Sequence, residues 1–176
     1  MKRSLLIIAL SLVTGLAAAD FEIKDPSQPE AMVIEPSKKG QKRTRGNSAT
    51  RFHVETMLVL AEMGADYAQF QVGTMYELGQ GLDEDPVNAA KWYRKAAWQG
   101  LKAAQFYLGR MYLEGRGVPR NYAEAYVWLN VASIDYEAPV RDRDVAANKL
   151  SAKQLQAAQV RSAQLFEDIY AQKMEE

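Results

Sequence analysis

Apolar residues return along this chain at three- and four-residue intervals, the spacing of an amphipathic helix, in stretches that glycines punctuate. From about Thr50 to Met63 the pattern Phe52, Leu58 and Ala61 predicts a helix that Gly64 ends as a left-handed cap. Asp66 to Leu78 follows as a helix with Ala68, Val72, Met75 and Tyr76 in its apolar stripe. Gly79 and Gly81 then suit a reversal, and Asp85-Pro86 supplies a cap and a first-turn proline for the next helix. Ala89, Trp92, Ala96 and Ala97 line that helix until Gly100. Lys102 to Glu114, a turn at Gly115-Arg-Gly117-Val118-Pro119, and a helix from Tyr122 come next, with Asn121 and Glu124 spaced as a capping box. Pro139 opens a helix to about Leu150. Ser151 and Gln154 then form a second capping box, before a last helix with Leu155, Ala158, Leu165, Phe166 and Ile169 on one side.

The middle of this pattern is duplicated. Gly73-Thr-Met75-Tyr76 with Gly79-Gln-Gly81 returns as Gly109-Arg-Met111-Tyr112 with Gly115-Arg-Gly117, 36 residues later. At the same offset Ala61, Gly64, Ala68, Gln69, Phe70, Ala89, Trp92 and Ala96 recur as Ala97, Gly100, Ala104, Gln105, Phe106, Ala125, Trp128 and Ala132. A unit of two helices and a glycine turn does not bury its own apolar face and must stack on its neighbours as a solenoid. The copy decays beyond Ser133, where Tyr136 stands in place of Gly100, so the array closes there. Gly73 and Gly109 sit mid-helix, where glycine costs about 1 kcal/mol relative to alanine, and close approach of the partner helix offsets that cost.

With 176 residues, 48% of them hydrophobic, the chain suits one domain. Met1-Lys2-Arg3, the apolar run Leu5 to Leu16 and Ala17-Ala18-Ala19 read as a signal peptide over 1–19, cleaved after Ala19, with a retained anchor as the second reading. The expected location is the periplasm or the exterior. There is no cysteine, so neither a lipid-acceptor thiol nor a disulfide is available. Removing Lys2 and Arg3 leaves 20 basic against 22 acidic residues, a balance that gives no pull towards nucleic acid. The stretch 20–49, with Pro26, Pro29 and Pro36, reads as disordered. Its cluster Lys38, Lys39, Lys42, Arg43 and Arg45 is either a solvated tether or the chain's one means of contact with an anionic membrane or envelope polymer.

The string from Ala104 through Leu108-Gly109-Arg-Met-Tyr112-Leu-Glu-Gly115-Arg-Gly117-Val118 to Ala125, Trp128 and Ala132 closely resembles the Sel1-like repeat, a relative of the tetratricopeptide repeat, and Ala68 to Ala97 resembles it again. The resemblance spans residues 50–172: repeats at about 65–100 and 101–136, with a helical cap over 139–172. It implies an all-α fold, a right-handed α/α solenoid of helical hairpins with a C-terminal capping helix. It also implies a class of role, since members are generally adaptors and scaffolds, including bacterial envelope proteins. Some exported relatives staple each unit with cysteines; this chain has none.

Folds of that type present the first helix of each unit on the concave side. The stripe left outside the core is then Tyr67, Phe70, Thr74 and Glu77, with Ala103, Phe106, Arg110 and Leu113 as counterparts. Aromatic, apolar and charged groups in one groove would grip a peptide or protein partner, with Glu77 or Arg110 setting register. The competing reading makes Phe70 and Phe106 packing residues between adjacent first helices.

Catalysis finds little support. The chain has one histidine, His53, and no glycine-flanked serine elbow, so no catalytic residue is assigned. No ligand spacing points to a metal, and Gly79-x-Gly81 and Gly115-x-Gly117 lack the third glycine and preceding strand of a dinucleotide loop, so no cofactor is expected. Asp83-Glu84-Asp85 lacks the alternation of a calcium loop and reads as a surface turn. The expected role is a non-enzymatic interaction module. Its competitor is an envelope protein that binds or modifies cell-wall glycan with carboxylates such as Glu77 and Glu114.

Overall fold

The computed structural model describes residues 47–134 and 140–174. The expected leader over 1–19, the expected disorder from residue 20 to 46 with its basic cluster Lys38–Arg45, and the expected opening of a helix by Pro139 lie outside them. The described residues form seven helices and no strand: α1 Ser48–Glu62, α2 Asp66–Leu78, α3 Pro86–Trp98, α4 Lys102–Glu114, α5 Tyr122–Ala132, α6 Val140–Ala147 and α7 Ala152–Met174. None is long and apolar enough to cross a membrane.

Local chemistry sets the helix ends. Asn47 Oδ1 accepts from Thr50 N at 2.9 Å and starts α1. Asp85 Oδ1 accepts from Asn88 N at 3.0 Å, and that bond holds its carboxyl below the usual range. α2 and α4 stop where Gly79 and Gly115 take φ of +66° and +75°, a conformation that costs glycine little. Ser151 and Gln154 make the reciprocal capping box before α7, with Ser151 N to Gln154 Oε1 at 3.0 Å and Gln154 N to Ser151 Oγ at 3.3 Å. Before α5 only half of the box forms. Asn121 accepts from Glu124 N, but the Glu124 carboxylate reaches α7 and pairs with Arg161 at 2.6 Å.

The helices pack as antiparallel hairpins, α2 with α3 and α4 with α5, and α3 also packs against α4. α1 lies on α2, and α6 and α7 cover α5. Each hairpin closes over its mid-helix glycine. A Cβ on Gly73 would stand 2.6 Å from Tyr93 Cδ1, and one on Gly109 would stand 2.7 Å from Leu129 Cγ. The close approach expected at these glycines is therefore made by a side chain of the second helix. Between units, the repeat-equivalent Gln69 and Gln105 are buried, and each donates from Nε2 at 3.1 Å to the carbonyl eight residues earlier, Ala61 and Ala97. A glutamine thus ties each first helix to the end of the helix before it.

One core expectation needs correction. Phe52 is 72% exposed, and α1 buries Val54 together with the expected Ala61. Among the described residues α1 packs against α2, and the face that meets α2 is the one that is buried. At the other end α7 buries Ala158, Leu165 and Ile169 as expected. Asn130 Nδ2 donates to the buried Ser162 Oγ at 2.9 Å, joining α5 to α7. Lys102 donates to the Val131 carbonyl at 3.0 Å and sits 4.8 Å from the centre of the Tyr170 ring.

Candidate partner-binding face

Helical spacing puts Tyr67, Phe70, Thr74 and Glu77 on one side of α2, and Ala103, Phe106, Arg110 and Leu113 on the matching side of α4. Tyr67 is 60% exposed, with its ring 6.4 Å from Phe70 and its hydroxyl accepting from Gln71 Nε2 at 3.0 Å. Phe70 is half-buried. Its ring lies 5.6 Å from both Tyr93 on α3 and Tyr107 on α4. Tyr93 stacks on Tyr107 at 5.4 Å, and Phe106 meets Tyr107 edge-on at 5.4 Å. The Arg110 guanidinium stands 5.8 Å over the Phe106 ring. An unbroken aromatic strip therefore runs from the exposed Tyr67 across both repeats to Arg110.

Polar groups border the strip. The Tyr93 hydroxyl donates to Glu77 Oε2 at 2.6 Å and stands 3.2 Å from Thr74 Oγ1. Burial, then the bond to Glu77, pushes the Tyr93 phenol far above its ordinary range, so it keeps its proton. The other Glu77 oxygen meets Arg116 at 3.3 Å, and the Glu77 side chain is only 12% exposed. Arg110 bonds Glu114 at 2.8 Å and faces Asp142 of α6 at 3.6 Å. The Glu114 bond holds the guanidinium charged.

Six of these eight residues, all but Ala103 and Leu113, are thus linked through contacts. Leu113 is half-buried against the core instead. Phe70 touches a ring on the neighbouring first helix while remaining only partly buried, so packing and display coincide at that residue. Tyr93 and Tyr107 belong to the strip but escape a reading built on the repeat, because their counterparts are Leu129 and Gln71. The mid-helix Gly73, opposite a bulky second helix, was the available signal for Tyr93.

Glu77 pairs with Arg116 and Glu114 with Arg110. His53 is exposed on α1. Among the described residues no group of three or more His, Cys, Asp or Glu side chains is placed to hold a metal ion.

The chain matches the family model described as Sel1 repeat over residues 66–101 and 102–133, the two hairpins α2–α3 and α4–α5. A comparison with curated proteins gives no match. Among solved structures it is similar to a protective antigen present in uropathogenic Escherichia coli strains displaying an SLR fold, at 39% identity and a TM-score of 0.66 over 69% of this chain. The chain spans 27% of that protein's length. It is also similar to a Sel1 repeat protein from Oxalobacter formigenes, at 32% identity and a TM-score of 0.50 over 52% of this chain and 69% of the other. Sel1 repeats form solenoids of helical hairpins and are commonly protein interaction modules. With two matched hairpins and structural relatives of the same repeat, the chain belongs to the Sel1 repeat family.

Proposed function

We propose that this chain is a non-enzymatic adaptor of the bacterial cell envelope that holds a peptide or protein partner on the face shared by α2 and α4. The observation that carries the reading is the continuity of the Tyr67–Phe70–Tyr107–Phe106 strip over two repeats, with Arg110 at its end. Rigid aromatic side chains contribute contact area at small entropic cost, and a flanking arginine gives orientation. The leader-like residues 1–19 support export to the periplasm or the exterior.

The test is quantitative affinity capture from envelope extracts with the wild-type chain and a Tyr67→Ala/Arg110→Glu variant. At least one protein should fall by about tenfold in the variant, as expected for the loss of a binding anchor, while the melting temperature stays close to wild type. Identical captured sets from two equally stable baits would contradict the proposal.

A further inference from the structure

A second recognition site lies away from the α2–α4 strip. An open cleft is lined by Trp98 at the end of α3, Glu124 and Trp128 of α5, and Arg161, Leu165 and Asp168 of α7. Trp128 is buried, and Trp98 stands edge-on to it at 5.8 Å with an interplanar angle of 84°. Trp98 itself is 49% exposed. Its equivalents 36 residues to either side are Glu62 and Ile134, both exposed, so the hairpin does not demand an indole there. The tryptophan is a feature of this cleft rather than of the repeat.

The charges around it are unequal. Arg161 pairs with Glu124 at 2.6 Å, although its own side chain is 65% exposed. Asp168 accepts from the Gln164 amide at 3.0 Å, and no cation pairs with it among the described residues. Two carboxylates and one guanidinium leave the cleft negative beside an indole whose face is electron-rich. An anion entering it would meet Asp168 and Glu124. An apolar side chain would desolvate Asp168 without compensation. A cation is favoured by both the ring and the carboxylate. The molecule already seats cations this way, with Lys95 Nζ 3.9 Å over the Trp92 ring and Lys102 over Tyr170.

We propose that the Trp98–Asp168 cleft docks an arginine side chain of a protein partner. The planar guanidinium stacks on Trp98 and bonds the Asp168 carboxylate, a combination that a compact ammonium does less well. The cleft uses no residue of the α2–α4 strip, so either site can fail without the other.

The experiment titrates the full chain, labelled with nitrogen-15, with the peptide acetyl-Gly-Arg-Gly-amide and follows the three indole N–H signals. Those of Trp98 and Trp128 should shift saturably while that of Trp92 stays still. The peptide with citrulline in place of arginine has the same shape without the charge and should bind about tenfold more weakly. Trp98→Ala should weaken binding by a similar factor, and Asp168→Asn by about threefold. Both positions are exposed, and unchanged melting of each variant verifies the fold. Equal binding of the arginine and citrulline peptides would overturn the proposal. So would wild-type affinity in Asp168→Asn, or no saturable shift at peptide concentrations on the order of 10 mM.

Discussion

The ring of Tyr93 occupies the space that a side chain at Gly73 would need, 2.6 Å from an ideal Cβ, and its hydroxyl goes on to bond Glu77. One residue of the second helix therefore both closes the first hairpin and supports the polar edge of the candidate face.

Gly73→Ala should destabilise the protein despite alanine's better helix propensity. The propensity gain is about 1 kcal/mol, whereas overpacking a filled site costs about 1–3 kcal/mol, so a net loss of about 1 kcal/mol is expected in urea unfolding. Adding Tyr93→Ala should relieve the clash, so that the double variant loses less than the sum of the single losses. Additive losses would mean that the two residues do not compete for that space.

The Tyr93 phenol supplies a pH test. Its folded-state pKa is raised above that of an unfolded tyrosine, about 10, so an unfolded chain loses this proton at a pH where the folded chain keeps it. The stability it contributes is whole below about pH 10 and declines as pH rises further, by at most about 1.4 kcal/mol per pH unit. Urea unfolding at about pH 9 and pH 11 should show a steeper decline for wild type than for Tyr93→Phe. Parallel declines would contradict the assignment.

Phe70 and Phe106 should separate stability from display. Phe70 touches Tyr67, Tyr93 and Tyr107, whereas Phe106 touches Tyr107 and Arg110. For these half-buried rings, truncation to alanine should cost about 2 kcal/mol at Phe70 and about 1 kcal/mol at Phe106, less than at fully buried sites. Phe106→Ala should then remain folded while partner capture falls. A collapse of both variants on thermal melting would make the rings structural and remove them from the contact surface.

The helices that matched expectation most closely, Asp66–Leu78 and Lys102–Glu114, are those whose ends are marked twice, once by a turn glycine and again by their repeat. Pro86 and the Ser151–Gln154 box identified α3 and α7 for equally local reasons. Phe52 shares the helical spacing of Ala61 but is exposed, because a three- and four-residue spacing does not reveal which side of a terminal helix meets its neighbour. The Glu124 carboxylate was claimed by Arg161, 37 residues away, a tertiary choice that local capping statistics do not contain. Tyr67, Phe70 and Phe106 were accessible from helical spacing. Tyr93 and Tyr107, which join them, were not, because the repeat substitutes leucine and glutamine at those positions.

Lys102 should anchor the C-terminal cap. A base in the first turn of α4 opposes the helix dipole, and its bond to the Val131 carbonyl and its place over Tyr170 and Phe166 offset that cost. Lys102→Ala should lower stability by about 1 kcal/mol and speed amide hydrogen exchange in α7 while α1 is unaffected. Unchanged exchange in α7 would show that the cap holds without it.

The adaptor reading is tested most directly by a photo-crosslinking amino acid placed at Tyr67 in living cells, with the exposed Gln156 of α7 as the comparison site. The account predicts a discrete crosslinked partner from position 67, absent from position 156 and lost when Arg110→Glu is added. The same products from both positions, or none from position 67, would contradict it.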